Sequence, residues 1–132
     1  MLDLQEITNR VIKECGEEVL RRAESMKPDE VTERGRVEFF EGGFVVKYDD
    51  EISGFFEWGT GSSQTVKVGV SAKEYLKDKP QEIKDEAMKL YKNGRGRIGA
   101  QPYLYPALLW ALDEIPKRIK AEAVSVWNNL RF

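Results

Sequence analysis

Gly99-Ala100-Gln101-Pro102-Tyr103-Leu104-Tyr105-Pro106-Ala107-Leu108-Leu109-Trp110-Ala111-Leu112 is the stretch around which the chain is organised. Pro102 biases Gln101 toward extended angles and Pro106 does the same to Tyr105, so the stretch opens extended. Pro106 then suits the first position of a helix, where an N–H would lack a partner anyway. Beyond it, Leu108, Leu112, Ile115, Ile119, Ala123, Val126, Trp127 and Leu130 recur at threes and fours, which predicts a long helix with one apolar face. The other segments are too short or too polar to form a core without that face. Pro116 removes the N–H that would reach Leu112 and predicts a bend. Asp113 with Lys117, and Glu114 with Arg118, are acid-before-base pairs four apart that favour one continuous helix across it.

Upstream, Asp3 is placed to cap a helix, with Glu6 three residues on. Ile7, Val11, Ile12, Cys15, Val19, Leu20, Ala23 and Met26 line one side until Pro28 ends the run. A polar connector, Asp29 to Gly35, leads to Arg36–Glu41 and Phe44–Tyr48, which flank Gly42-Gly43 and predict a β-hairpin. Asp49-Asp50-Glu51 reads as a solvated acidic turn, since no calcium-loop pattern follows it. Ile52 to Thr60, crowded with Phe55, Phe56 and Trp58, reads as a turn leading into a strand-like piece. Gly59 to Gln64 is loop-like by composition. Val66, Val68 and Val70 alternate with polar or small residues, a half-exposed strand. A charged segment from Ala72 to Asn93 contains a helix starting near Pro80, with Ile83, Ala87, Leu90 and Tyr91 as its narrow apolar stripe. Arg95-Gly96-Arg97-Ile98-Gly99 is a basic, glycine-loosened loop. Together these predict a single α+β domain over 1–132, in which 61–98 is an inserted strand–helix–loop excursion.

Composition sets bounds on the function. With 132 residues, 41% hydrophobic and 33% charged, the chain can bury a core without metal or disulfide. Its 21 basic residues against 23 acidic ones argue against a generally basic nucleic-acid-coating protein. Cys15, the only cysteine, reads as a buried structural thiol. The absence of histidine removes Ser-His-Asp triads and histidine-based zinc sites. No apolar run reaches membrane-spanning length and the first residues lack a signal peptide's basic start, so an intracellular protein is expected. No cofactor, metal site or catalytic residue is expected.

Two features have both a structural and a functional reading. Glu57 sits between large aromatics. If buried, it is expected to accept hydrogen bonds from the backbone of Gly99–Gln101, or to meet Arg97, rather than serve as an acid–base residue of raised pKa. Arg95 and Arg97, with Lys89 and Lys92, could touch a partner or DNA electrostatically. That makes a small nucleic-acid-binding or regulatory module the alternative function, and an enzyme centred on Glu57 a third. Sequence-specific recognition of nucleic acid is not expected.

Phe56-Glu57-Trp58-Gly59-Thr60 followed by Ala100-Gln101-Pro102-Tyr103-Leu104-Tyr105-Pro106-Ala107-Leu108 resembles the signature pair of the tail-completion (head–tail joining, or neck) proteins of long-tailed bacteriophages. The residues carrying the resemblance are Glu57, Gly59, Thr60, Ala100, Pro102, Tyr103 and Pro106. The resemblance implies a curved, mainly antiparallel sheet packed against long N- and C-terminal helices. It also implies a non-enzymatic virion or prophage structural subunit, joining a ring, commonly six-fold, where tail meets head. The implied partners are the connector, tail tube or tail terminator, and the implied location is the host bacterial cytoplasm during assembly and then the virion. Two departures stand out. A strand and a helix intervene where the family often has a short loop, and individual residues differ: Gln101 stands where a basic residue is frequent, and Ser53-Gly54 where an alanine-bearing segment is usual. After the predicted core is assigned few apolar residues remain, so self-association is expected to be weak in isolation.

Overall fold

The computed structural model describes residues 3–59, 71–88 and 98–129, with side chains in the last helix to 125. Its elements in chain order are α1 (Leu4–Met26), β1 (Arg36–Phe40), β2 (Gly43–Lys47), α2 (Glu51–Trp58), α3 (Ala72–Leu76), α4 (Gln81–Met88) and α5 (Leu104–Asn129). Long helices near both ends and a two-stranded antiparallel sheet make this an α+β fold.

α1 forms as its sequence predicts. The Asp3 carboxylate accepts from the N–H groups of Gln5 and Glu6, satisfying two donors that a helix start leaves open. Its buried stripe is Ile7, Val11, Cys15, Val19 and Ala23. Cys15 is 0% exposed, and burial pushes its thiol pKa up. Each fully buried valine of that stripe contributes roughly 1.5–3 kcal/mol over leaving it in water.

The hairpin pairs Val37 with Val46 and Phe39 with Phe44. Its turn falls one residue earlier than predicted: Glu41 and Gly42 make it, Gly42 takes the positive φ of 83°, and Gly43 already pairs with Phe40 as part of β2. Val46 joins Val19 and Ala23 of α1, and Tyr103, Ala107 and Ala111 beside them, in the main core cluster. α1 therefore packs against both the small sheet and α5, and the three share one core.

Two further predicted elements, α2 and α5, need correction. Residues Ile52 to Trp58 are helical, not a turn into a strand. Asp50 caps α2 by accepting from the Ile52 N–H, and Gly59 ends it at a φ of 81°. α5 starts at Leu104, two residues before Pro106. The proline still falls in the first turn, whose N–H groups have no intrahelical partner. The buried face of α5 is also rotated from the predicted one: Ala107 and Ala111 are buried, Leu108, Ile115 and Ile119 are half-buried, and Leu112 is 72% exposed. α1 packs along α5, and its Val19 and Ala23 share a core cluster with these alanines.

α5 runs unbroken through Pro116, and the pairs Asp113–Lys117 (2.8 Å) and Glu114–Arg118 (3.0 Å) form as predicted. Arg10 of α1 also pairs with Glu122 of α5, and Arg22 of α1 lies 4.0 Å over the Trp110 ring. α4 begins directly after Pro80 and buries Ala87. The predicted Val66–Val70 strand, the Leu90–Tyr91 end of the apolar stripe, Thr60, Arg95 and Arg97 lie outside the described residues, as do the Val126, Trp127 and Leu130 side chains. The expectation of few surface apolar residues is overturned. Phe39, Phe40, Leu109 and Leu112 are all exposed, Phe40 at 62%.

Candidate functional site

α2 is short, but two of its residues one turn apart, Ser53 and Glu57, are buried on the same side. Glu57 is 3% exposed. Its Oε2 accepts from the N–H groups of Tyr103 (2.8 Å) and Leu104 (2.9 Å), and its Oε1 from the N–H of Tyr105 (2.8 Å). A helix leaves four N–H groups without intrahelical partners at its start. For α5 these belong to Tyr103, Leu104, Tyr105 and Pro106. One carboxylate takes the first three, and the fourth residue, a proline, has no N–H to satisfy. The accounting for the helix start closes on Glu57 alone. A negative charge there also meets the positive end of the helix dipole.

Glu57 was expected to grip Gly99–Gln101 or Arg97. Its donors instead lie two to four residues beyond Gln101, because α5 starts earlier than predicted, and Arg97 lies outside the described residues. The Gly99–Gln101 backbone is held by other parts of the same motif. The Gln101 N–H donates to the Phe56 carbonyl (2.8 Å). Gly59 lies directly against the chain there, and a Cβ on it would come within 2.8 Å of the Ala100 nitrogen. With its φ of 81° as well, position 59 requires glycine on two counts. Ala100 is buried in this contact. Of the signature residues, Glu57, Gly59, Ala100 and Tyr103 are in one contact region, and Pro102 and Pro106 bracket its last helix start.

Tyr103 connects this site to a second carboxylate. Its hydroxyl donates to the Ser53 carbonyl (2.8 Å), and the Ser53 hydroxyl donates to Glu33 Oε1 (3.0 Å). Glu33 also accepts from the N–H groups of Asp50 and Asp49, both at 2.8 Å, and so secures the start of α2. No role for Glu33 and no hydrogen-bonding role for Ser53 is expected from the sequence. Glu33 is one acid in a polar connector and carries no local signal. Ser53 would have been found from its position four before Glu57, had the Asp50 cap and the Gly59 stop been read as the ends of a helix.

The electrostatics of the two carboxylates differ. Burial pushes the Glu57 carboxyl above the usual carboxylate range, opposed by its three N–H donors. Burial also acts to raise Glu33, but the N–H groups of Asp50 and Asp49 and the Ser53 hydroxyl outweigh it and hold that carboxyl below the usual range. The Tyr103 phenol is pushed up by burial and by the charge of Glu57. Beside the site, Trp58 packs with Tyr75 and Tyr105 at centroid distances of 6.3 and 6.4 Å, with the Lys79 ammonium 4.5 Å over Tyr75.

A hollow of about 510 Å³ borders Glu57 and is rimmed by Asp49, Asp50 and Glu51. These acids are partly engaged: Asp49 pairs with Arg36, and Asp50 caps α2. Among the described residues no group of three or more His, Cys, Asp or Glu side chains is arranged to hold a metal ion. No described helix is long and apolar enough to cross a membrane. Both Glu57 oxygens accept from backbone donors, so the carboxylate joins two chain segments. Comparison with protein families, curated proteins and solved structures finds no match to this chain.

Proposed function

We propose that the chain is a non-enzymatic structural subunit of a phage or prophage head–tail junction, joining a ring against the connector, tail tube or tail terminator. The observation that carries this reading is the closed accounting at Glu57. The two segments that resemble the tail-completion signature, more than forty residues apart, meet in one buried contact, with Glu57, Gly59, Ala100 and Tyr103 each in a role that its residue type explains. A buried carboxylate spent on holding the backbone suits a frame that presents surfaces to neighbouring subunits. The exposed apolar side chains of the hairpin and of α5, Phe39, Phe40, Leu109 and Leu112, are surface of the kind an assembly covers.

Deleting the gene from the phage or prophage that encodes it tests the reading. Electron microscopy of the lysate should show filled heads and finished tails unjoined, with joining restored when the chain is supplied in trans. Intact virions from the deletion strain would contradict it.

A further inference from the structure

α3 and α4 enclose a hollow of about 470 Å³ whose floor is Ala72, Leu76 and Met88 and whose rim carries Lys73, Lys77 and Lys84. Met88 is 55% exposed at one end of it. The charges of this region are segregated: all three lysines line the hollow, whereas Glu74, Asp78, Glu82, Asp85 and Glu86 do not. Several cations elsewhere have carboxylate partners. Arg21 and Arg22 pair with Glu18, Lys27 with Glu24, Lys47 with Glu38 and Lys117 with Asp113. The neighbouring Lys79 is likewise engaged, by Asp78 and the Tyr75 ring. Lys73, Lys77 and Lys84 form no ion pair among the described residues.

The stretches of chain outside the described part bring them no carboxylate side chain. Residues 1–2, 60–70, 89–97 and 130–132, which lie outside the described part, contain no aspartate or glutamate. The excursion 61–98 holds nine Lys and Arg against five Asp and Glu, while the remainder of the chain holds twelve against eighteen. Three lysines thus share one hollow with apolar side chains in a protein that is acidic as a whole.

We propose that this hollow is a docking groove for an acidic amphipathic segment of another protein, its apolar side chains on Leu76 and Met88 and its carboxylates on the three lysines. The apolar floor decides between polyanions. A phosphate backbone would use the lysines and leave Leu76 and Met88 idle, whereas a helix or extended segment with carboxylates flanking apolar anchors uses both. An exposed methionine adapts its shape to such an anchor at little cost. The proposal concerns the inserted excursion and does not depend on the head–tail reading.

The test uses the full chain and a fluorescein-labelled peptide of about four helical turns, with leucines at helical spacing flanked by glutamates. Anisotropy at low salt should report saturable binding that weakens as salt rises, and that weakens further for a scrambled peptide of the same composition. The triple variant Lys73→Glu, Lys77→Glu, Lys84→Glu should lose about tenfold in affinity. Met88→Ser, which leaves the charges intact, should lose about threefold. Circular dichroism should show both variants folded, since all four side chains lie at the surface of the hollow. Absence of binding, or unchanged affinity in the triple variant, overturns the proposal. So does an oligothymidylate that competes equally well and ignores Met88→Ser, which would make the groove a phosphate site. Self-association of the chain that the triple variant abolishes would put a second copy there and overturn it too.

Discussion

Glu33 and Glu57 perform the same operation in different surroundings. Each carboxylate collects backbone N–H groups at the start of a helix, α2 for Glu33 and α5 for Glu57, and the two are linked through Ser53 and Tyr103. The donors to Glu33 are exposed and could turn to water if it were removed. Those to Glu57 are buried or half-buried, and Glu57 is nearly sealed. A cap at the surface is an increment of stability. A cap in the interior is a condition for the helix start being where it is.

The largest effect should come from Glu57→Ala, which leaves three N–H groups of the α5 start without acceptors. An unsatisfied buried donor costs about 1–3 kcal/mol, so the variant should lose roughly 3 kcal/mol or more in urea unfolding. A loss no larger than that of Glu33→Ala would erase the distinction between the two sites. Gly59→Ala should follow, at about 2–3 kcal/mol, because it combines a φ of 81° with a Cβ contact of 2.8 Å on the Ala100 backbone. Tyr103→Phe removes the donor to the Ser53 carbonyl and should cost about 1–2 kcal/mol. Glu33→Ala, with water available to its former donors, should cost about 1 kcal/mol.

The smallest effect has opposite signs at the two sites. The Glu33 carboxyl is lowered in the fold, so its contribution is present above the ordinary carboxylate value and is lost as pH falls through its own lower value. The Glu57 carboxyl is raised, so ionising it in the fold is disfavoured, and stability declines as pH climbs from the ordinary value through the raised one. Urea midpoints across the acid range should show Glu33→Gln flattening the acid-side loss and Glu57→Gln flattening the opposing decline. The same sign at both sites would contradict the assignment.

The amino-acid pattern disclosed the long elements and misplaced the short ones for identifiable reasons. α1, the hairpin and α5 announce themselves because a regular apolar period, a glycine turn and a proline-led start act over many residues. α2 has eight residues, an internal glycine and three large aromatics, so neither period dominates, and only its end signals at Asp50 and Gly59 mark it. The face of α5 was rotated because periodicity gives weight to large side chains such as Leu112, whereas close helix packing selected Ala107 and Ala111. The acceptor role of Glu57 could be inferred from a carboxylate set among aromatics. Its partners could not, since they depend on where α5 starts to within two residues. Glu33 carried no signal, because its role comes from the path of the connector and not from its neighbours in sequence.

The claim that one buried carboxylate fixes the start of α5 is tested most directly by amide hydrogen exchange at Tyr103, Leu104 and Tyr105, resolved by NMR. All three amides should be protected nearly as well as the core of α1. In Glu57→Gln the backbone N–H groups facing the new NH2 group, that of Tyr105 or those of the Tyr103–Leu104 pair, should lose about a hundredfold of that protection while α1 keeps its own. The glutamine side chain offers one acceptor oxygen where the carboxylate offers two. Exchange at these three positions as fast as in an unstructured peptide, or protection unchanged in Glu57→Gln, would contradict the claim.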